Sequence, residues 1–182
     1  MVERIIYAQM GSGWRELYVK KYLPKVMAAL RSDTRVHEVF KNKKKADAIE
    51  DVWGRRDRLF ANLQEIPTSF DAPCYEITPD DDRVVEWCGK LPFLGPITKY
   101  LPARDFGANV PKPDLWMDRF ANYSGEKVIP MCQRLARATG DRIAVVDLVL
   151  WYAGSRGLFK LPPDRDEPSS KVTRRDAKPQ KR

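Results

Sequence analysis

Apolar residues spaced three and four positions apart recur along most of this 182-residue chain. The longest such stripe comprises Ile49, Val52, Trp53, Leu59, Phe60 and Leu63. Residues with this spacing lie on one face of an α-helix. Strand-like alternation of apolar and polar residues is scarce. The chain therefore predicts an all-α fold whose helices each bury one face.

Local signals predict where several helices begin and end. Pro24 is expected to divide the helical region that starts near Trp14, Leu17 and Tyr18 into two pieces, because proline removes a backbone donor. A short helix is predicted from Asp80 to Trp87, since its acidic first turn suits the helix dipole. The segment between Pro67 and Pro79 is predicted to be an irregular connection.

The C-terminal half predicts two adjoining helices. One contains Val128, Met131, Cys132 and Leu135 and is expected to end at Gly140. The next, RIAVVDLVLWYA, follows Asp141, and Asp141 or its neighbour can cap it. Because this helix is apolar nearly all round, we expect it to lie at the centre of the core. Trp53, Trp87 and Trp151 are interpreted as core residues.

Composition divides the chain into a folded domain over residues 1–159 and a tail over residues 160–182. The tail is rich in proline and charge and poor in apolar residues, so we expect it to be disordered and basic. The net charge of +8 and pI near 9.4 indicate a polyanionic partner. His37, the single histidine, is interpreted as a surface or helix-boundary residue.

Several classes of protein fit this composition poorly. No apolar run approaches the roughly 20 residues of a membrane span, and the N-terminal segment does not look like a secretory signal. The three cysteines, Cys74, Cys88 and Cys132, are widely spaced, which favours reduced thiols over disulfides or a metal cluster. We therefore expect a cytoplasmic protein that does not bind a membrane and is most simply a monomer.

The stretch LPFLGPITKYLPARDFGANVPKPDLWMDRF, from Leu91 to Phe120, carries the strongest functional signal. It combines a tight turn, Gly95, a short helix and then Asp114 at the start of another helix. A glycine lets the backbone approach a phosphate closely. The N–H groups at the following helix start are suited to binding an anion.

This stretch resembles the hairpin of the helix–hairpin–helix base-excision DNA glycosylases, the endonuclease III-like superfamily. The family's hairpin reads leucine–proline–glycine–apolar–glycine, then two residues and threonine, and its catalytic aspartate follows about twenty residues later. Leu91 to Thr98 and Asp114 occupy those places. A weaker match is Ile5–Gln9, similar to the family's apolar run ending in alanine–glutamine.

The resemblance implies an orthogonal helical glycosylase-like domain that binds DNA and acts on a flipped-out base. Asp114 would stabilise an oxocarbenium-like sugar while the glycosidic bond breaks, and Lys112 would support its charge. The predicted DNA contacts are Phe93, Leu94, Gly95, Ile97, Thr98, Lys99, Gln9, Lys43, Lys44 and Lys45. The predicted base pocket comprises Tyr7, Trp14, Trp116, Lys112 and Asp147.

Two departures from the family pattern restrict the chemistry. Ile97 stands where bifunctional members have a Schiff-base lysine, which excludes lyase chemistry at that position and predicts a monofunctional enzyme. Phe93 stands where the family has its first hairpin glycine, and its ring is a candidate for packing on the core. No cofactor is expected apart from a possible monovalent cation at the hairpin, and no iron–sulfur cluster.

Less specific interpretations stand beside these. Asp114 is also a plausible helix cap, and Asp147 a buried hydrogen-bonding group. Lys43–Lys45 and the arginines Arg55, Arg56 and Arg58 form either solvated surface or contacts with DNA phosphates. The scaffold also suits a transferase that attaches amino acids to a hypermodified thymine, or a non-catalytic module that binds DNA or senses damage.

Overall fold

The computed structural model describes residues 1–7, 12–32, 34–67 and 70–159, leaving out the side chains of residues 7 and 12–16. The described residues form ten α-helices and no strand, which confirms the all-α prediction. The helices are α1 (Val2–Tyr7), α2 (Ser12–Leu30), α3 (Val36–Val39), α4 (Lys43–Gly54), α5 (Arg56–Gln64), α6 (Pro79–Gly89), α7 (Tyr100–Asp105), α8 (Leu115–Ser124), α9 (Val128–Thr139) and α10 (Ile143–Ser155).

The first of three hydrophobic clusters joins α1, α2, α3 and α4. Its fully buried members include Ile6, Val26, Phe40 and Ile49. Pro24 lies inside α2 and does not divide it, so the predicted break there is wrong. The exposed proline forfeits one hydrogen bond, while Val26 one half-turn later anchors the helix in this cluster.

The stripe predicted from Ile49 to Leu63 does not occupy one face of one helix. The helix is interrupted at Arg55, which is both the C-cap of α4 and the N-cap of α5. Ile49 and Val52 are buried in the first cluster, whereas Phe60 is 57% exposed. Beyond Gly54 the predicted common face holds for Leu59, which packs partly buried against the same cluster, and is wrong for Phe60.

The second cluster joins α8, α9 and α10, and Gly140 ends α9 as predicted, in a left-handed conformation (φ 78°). The N-cap residue of α10 is Arg142, and its side chain makes no capping hydrogen bond. The side-chain oxygen of Asn109 instead accepts from the Ala144 N–H at 3.3 Å. A distant asparagine thus replaces the predicted cap at Asp141.

Only one face of α10 is buried. Ile143, Val146 and Asp147 face inward, while an apolar outer face is 41–59% exposed at Val145, Leu148, Val149 and Tyr152. The prediction that α10 lies at the centre of the core is therefore wrong for half of its surface. Trp151, interpreted as core, is also 37% exposed.

The third cluster joins α6 and α7 to Ala108 and Val110, and Leu63 of α5 packs against it. The predicted helix at Asp80–Trp87 is confirmed as part of α6, whose N-terminus has a capping box between Thr78 and Asp81. Trp87 is partly buried here and meets Phe106 edge-on, with ring centroids 5.8 Å apart.

Two further predictions concern the surface and the tail. His37 is exposed, as expected. Over the part of the chain that the structure describes, every helix is too short or too polar to cross a membrane. The predicted disordered tail, residues 160–182, lies outside the described residues.

Gly154 marks a close approach between α10 and α8. A Cβ added there would lie 2.5 Å from a ring carbon of Trp116. We expect Gly154→Ala to lower the free energy of unfolding by about 1–3 kcal/mol, since the ring is confined by the second cluster. Gly54→Ala is the matched control, because its Cβ would meet nothing within 4 Å. Equal urea midpoints for the two variants would contradict the close packing.

Candidate functional site

A cavity of about 450 Å³ lies where α1 and α2 face α7, α10 and the segment before α8. Its lining combines charged groups with an apolar wall. The lining residues are Glu3, Arg4, Val19, Lys20, Leu101, Arg104, Lys112, Asp114, Asp147, Leu148 and Trp151. A volume in the range of about 300–1,000 Å³ is typical of sites for small molecules.

Asp114 lies in this lining and also caps α8. One carboxylate oxygen accepts from the backbone N–H groups of Trp116 and Met117, at 3.1 and 3.4 Å. The other oxygen accepts from Lys112 Nζ at 2.6 Å. The capping interpretation is confirmed, and the expected proximity of Lys112 is found. The carboxylate has lone pairs beyond these three bonds, so capping does not exclude a second role.

Asp147 is the most buried charged group of the lining, with 2% of the residue exposed. It accepts from an Arg104 side-chain nitrogen at 2.7 Å and from the backbone N–H of Lys112. It therefore joins α10 to α7 and to the segment that carries Asp114. Its two interpretations, hydrogen-bonding group and cavity residue, both agree with this position.

Burial raises the pKa of Asp147, since desolvation penalises the carboxylate. The Arg104 guanidinium and the Lys112 N–H oppose that rise in pKa, and the nearby Asp114 charge adds to it. Both carboxylates line the same cavity. Burial raises the pKa of the Cys132 thiol to about 12, and the nearby Asp147 charge contributes to that rise.

The opposite wall is formed by the N-terminal helices. Arg4 on α1 donates from Nε to an Asp105 carboxylate oxygen at 2.9 Å, and its NH2 contacts the same oxygen. The pair joins α1 to the end of α7. Arg4, Arg104 and Trp151 were not predicted as site residues; the signal for Trp151 was its place one helical turn after Asp147.

The aromatic residues of the predicted base pocket are Tyr7, Trp14 and Trp116. Trp116 is absent from the cavity lining and packs against Gly154 and the second cluster, so this cavity does not bring it together with Asp114. Trp151 supplies the aromatic surface instead. The side chains of Tyr7 and Trp14, and the whole of Gln9, lie outside the described residues.

The hairpin departs from ordinary backbone geometry at one residue. Phe93 has φ 64°, the left-handed conformation that favours glycine. Its ring packs partly buried against the first cluster, as expected of a candidate core residue. The chain thus keeps a glycine-like turn at the position where the family has glycine, and packing of the ring offsets the cost of roughly 1 kcal/mol.

Other hairpin residues divide into buried and exposed. Leu94 is 7% exposed and its N–H donates to the Leu91 carbonyl, so its predicted DNA contact is wrong. Gly95, Pro96 and Ile97 form the exposed tip. The Gly95 N–H donates to the Thr98 hydroxyl at 2.8 Å, which uses the donor within the hairpin. Among the described residues, the N–H groups of Ile97 and Thr98 meet no acceptor.

The lysines predicted to contact DNA are not equivalent. The side chain of Lys99 lies next to Gly89 at the end of α6. Lys43 and Lys44 are exposed at the start of α4. Lys45 is 6% exposed and donates to the Ile6 carbonyl at 2.9 Å, and burial lowers its pKa. Its predicted phosphate contact is wrong, because its ammonium group ties α4 to α1.

No residue set of the described chain resembles a metal site: no three His, Cys, Asp or Glu side chains gather there. The three cysteines are free thiols. The possible monovalent cation at the hairpin stays a prediction.

Comparison with known proteins adds no relatives: no protein-family model, curated protein or solved structure matches this chain. The resemblance to helix–hairpin–helix glycosylases therefore depends on the residues and spacing given above.

The left-handed conformation of Phe93 reverses the usual order of alanine and glycine. Phe93→Ala and Phe93→Gly both lose the ring, but only alanine retains a Cβ that disfavours positive φ. We expect the glycine variant to be more stable than the alanine variant by about 1 kcal/mol in urea unfolding. Greater stability of the alanine variant would contradict the turn geometry.

Removing the Arg104 guanidinium should alter the titration of Asp147. Because this charge opposes the rise in pKa, we expect Arg104→Gln to raise the pKa of Asp147 further above the ordinary 3.8. A carboxyl whose folded-state pKa is raised stabilises the fold fully below pH 3.8 and loses that stabilisation as pH rises through its folded-state pKa. The variant should therefore lose more stability than wild type over this interval.

Carboxyl ¹³C NMR and urea unfolding across that pH interval measure both effects. Arg134→Gln is the matched control, since Arg134 pairs with Glu126 outside the cavity lining. An unchanged Asp147 titration in Arg104→Gln would contradict the ion pair.

Proposed function

We propose that this protein is a monofunctional, DNA glycosylase-like enzyme that acts on a flipped-out base. The observation that carries the proposal is the placement of Asp114: a helix-capping, ion-paired carboxylate in the lining of a 450 Å³ cavity, downstream of the tight turn between α6 and α7. The distance in sequence between that turn and Asp114 agrees with the resemblance to the glycosylase family.

The cavity offers groups suited to an extruded nucleotide. Trp151, Leu148 and Leu101 provide surface on which a base can stack or pack. Charged side chains form most of the remaining lining, so the base would contact apolar groups while its sugar would contact charged ones. Extruding a base costs a few kcal/mol, and contacts of both kinds can offset that cost.

Asp114 would act on the sugar. As the bond from C1′ to the base breaks, its electron pair leaves with the base and positive charge develops on the sugar. The Asp114 carboxylate would stabilise this charge, and a water molecule would add to C1′, keeping one proton as the sugar hydroxyl while its other proton passes to the departing base. Lys112 and the α8 N–H groups hold the carboxylate in place.

DNA would be positioned by contacts that do not read sequence. Among the predicted DNA contacts, those exposed and available to phosphates include the hairpin tip Gly95–Ile97 and the side chains of Lys43 and Lys44. The net charge of +8 would favour this association at low salt.

Asp114→Asn separates catalysis from capping. Asparagine caps helices about as well as aspartate, so the fold should survive while the negative charge is lost. We expect release of free base from duplexes carrying damaged, mismatched or modified bases to fall by about 10²–10³-fold. Chromatography of released bases measures the rate, and thermal unfolding verifies the fold.

Asp118→Asn is the matched control: it is exposed on the same helix, outside the cavity lining, and should leave base release unchanged. Equal base release by wild type and Asp114→Asn would contradict the catalytic role. A gain in nucleoside mass without an abasic site would instead indicate the transferase chemistry.

One observation favours a second candidate, a non-catalytic DNA-binding module. Asp114 already makes three hydrogen bonds that explain its position without chemistry. In that case no substrate base would be released, whereas charge reversal at Lys43 and Lys44 would still weaken DNA binding.

A further inference from the structure

A second cavity, of about 230 Å³, lies between α5 and the C-terminal end of α6. Its lining contains three cationic side chains and, among the described residues, no carboxylate. The lining residues are Arg55, Arg58, Leu59, Asn62, Trp87, Lys90 and Leu91. The cavity shares no lining residue with the Asp114 cavity.

The positive charge of this cavity is only partly neutralised. Arg55 donates from Nε to an Asp51 carboxylate oxygen at 2.9 Å. Within the described chain, Arg58 and Lys90 form no ion pair, and both are exposed. A concave surface lined by one sign of charge concentrates ions of the opposite sign.

The chemistry of the lining is suited to a phosphate group. Guanidinium groups present paired donors that match phosphate oxygens, and the Lys90 ammonium adds a point charge. The Asn62 amide supplies a further neutral donor. Beneath them, Leu59, Leu91 and partly buried Trp87 form an apolar floor along which the long cationic side chains can lie.

The cavity directly adjoins the hairpin. Leu91 is both the first residue of the hairpin motif and part of the lining, and Lys90 is the C-cap residue of α6. From the other side, Leu59 of α5 and Phe93 of the hairpin pack against the same hydrophobic cluster. The backbone that carries the cationic lining thus lies beside the turn.

We propose that this cavity binds a phosphate group, and specifically a backbone phosphate of the DNA strand that passes the hairpin. The strand assignment rests on the proposed function, whereas the affinity for phosphate follows from the cavity itself. Two contacts on one strand would fix its direction across the protein, which a single contact at the hairpin cannot do.

The salt dependence of duplex binding tests the strand assignment. We expect the double variant Arg58→Gln/Lys90→Gln to bind an unmodified duplex more weakly and to reduce the slope of log K against log salt by about 0.9 for each DNA phosphate that the variant no longer neutralises. The control Lys25→Gln/Lys127→Gln removes the same charge at exposed positions outside the cavity, and should leave the slope near that of wild type.

Titration with inorganic phosphate, followed by the NMR signal of the Trp87 indole N–H, tests the cavity without DNA. We expect a saturable shift in wild type and in the control, and none in Arg58→Gln/Lys90→Gln. A phosphate shift with an unchanged duplex slope would assign the cavity to free phosphates or nucleotides and overturn the strand assignment.

Equal slopes for both double variants, together with no phosphate shift in wild type, would overturn the proposal entirely. Neither measurement depends on base release. The phosphate-site proposal can therefore be contradicted while the glycosylase proposal stands, and the glycosylase proposal can be contradicted while the phosphate site stands.

Discussion

The buried carboxylate of Asp147 is the interaction on which the site depends. Its oxygens accept hydrogen bonds from the Arg104 guanidinium on α7 and from the backbone N–H of Lys112, in the segment before α8. An unpaired charge at this depth would cost several kcal/mol, so the arrangement that brings the three elements together is strongly preferred. Through the Lys112 backbone, the same carboxylate determines where Asp114 lies.

The three hydrophobic clusters meet around this network. Arg4 and Asp105 join α1 of the first cluster to α7, and Arg104 and Asp147 join α7 to α10 of the second. The Asp114 cavity lies between these two ion pairs. A site at such a junction is sensitive to packing elsewhere, because shifts of any cluster alter the separation of its walls.

Local signals predicted most of the helices and their ends. Gly140 ends α9, and the acidic first turn of α6 marks its start. The misses have a shared cause: tertiary contacts override local preference. Pro24 stays inside α2 because the following residues are packed. The break at Arg55 turns Phe60 outward, and α10 buries only one of its two apolar faces.

In the candidate site, too, local arrangements could be predicted from the sequence and tertiary contacts could not. The proximity of Lys112 and Asp114 could be predicted, because a single residue separates them and both lie at the start of α8. Arg104 could not be assigned to Asp147, which is 43 residues away in sequence. Trp151, interpreted as core, lines the cavity, whereas Trp116 packs against the second cluster. Helical spacing alone does not reveal which face of a helix meets a cavity and which meets a neighbouring helix.

A crystal structure of the protein bound to duplex DNA that contains an abasic-site analogue would test the central claim most directly. We expect the analogue's sugar to lie in the cavity, with C1′ facing the Asp114 carboxylate and the adjoining backbone phosphate at the hairpin tip. An abasic sugar that stays in the helix, or lies away from Asp114 in a specific complex, would contradict the proposed function.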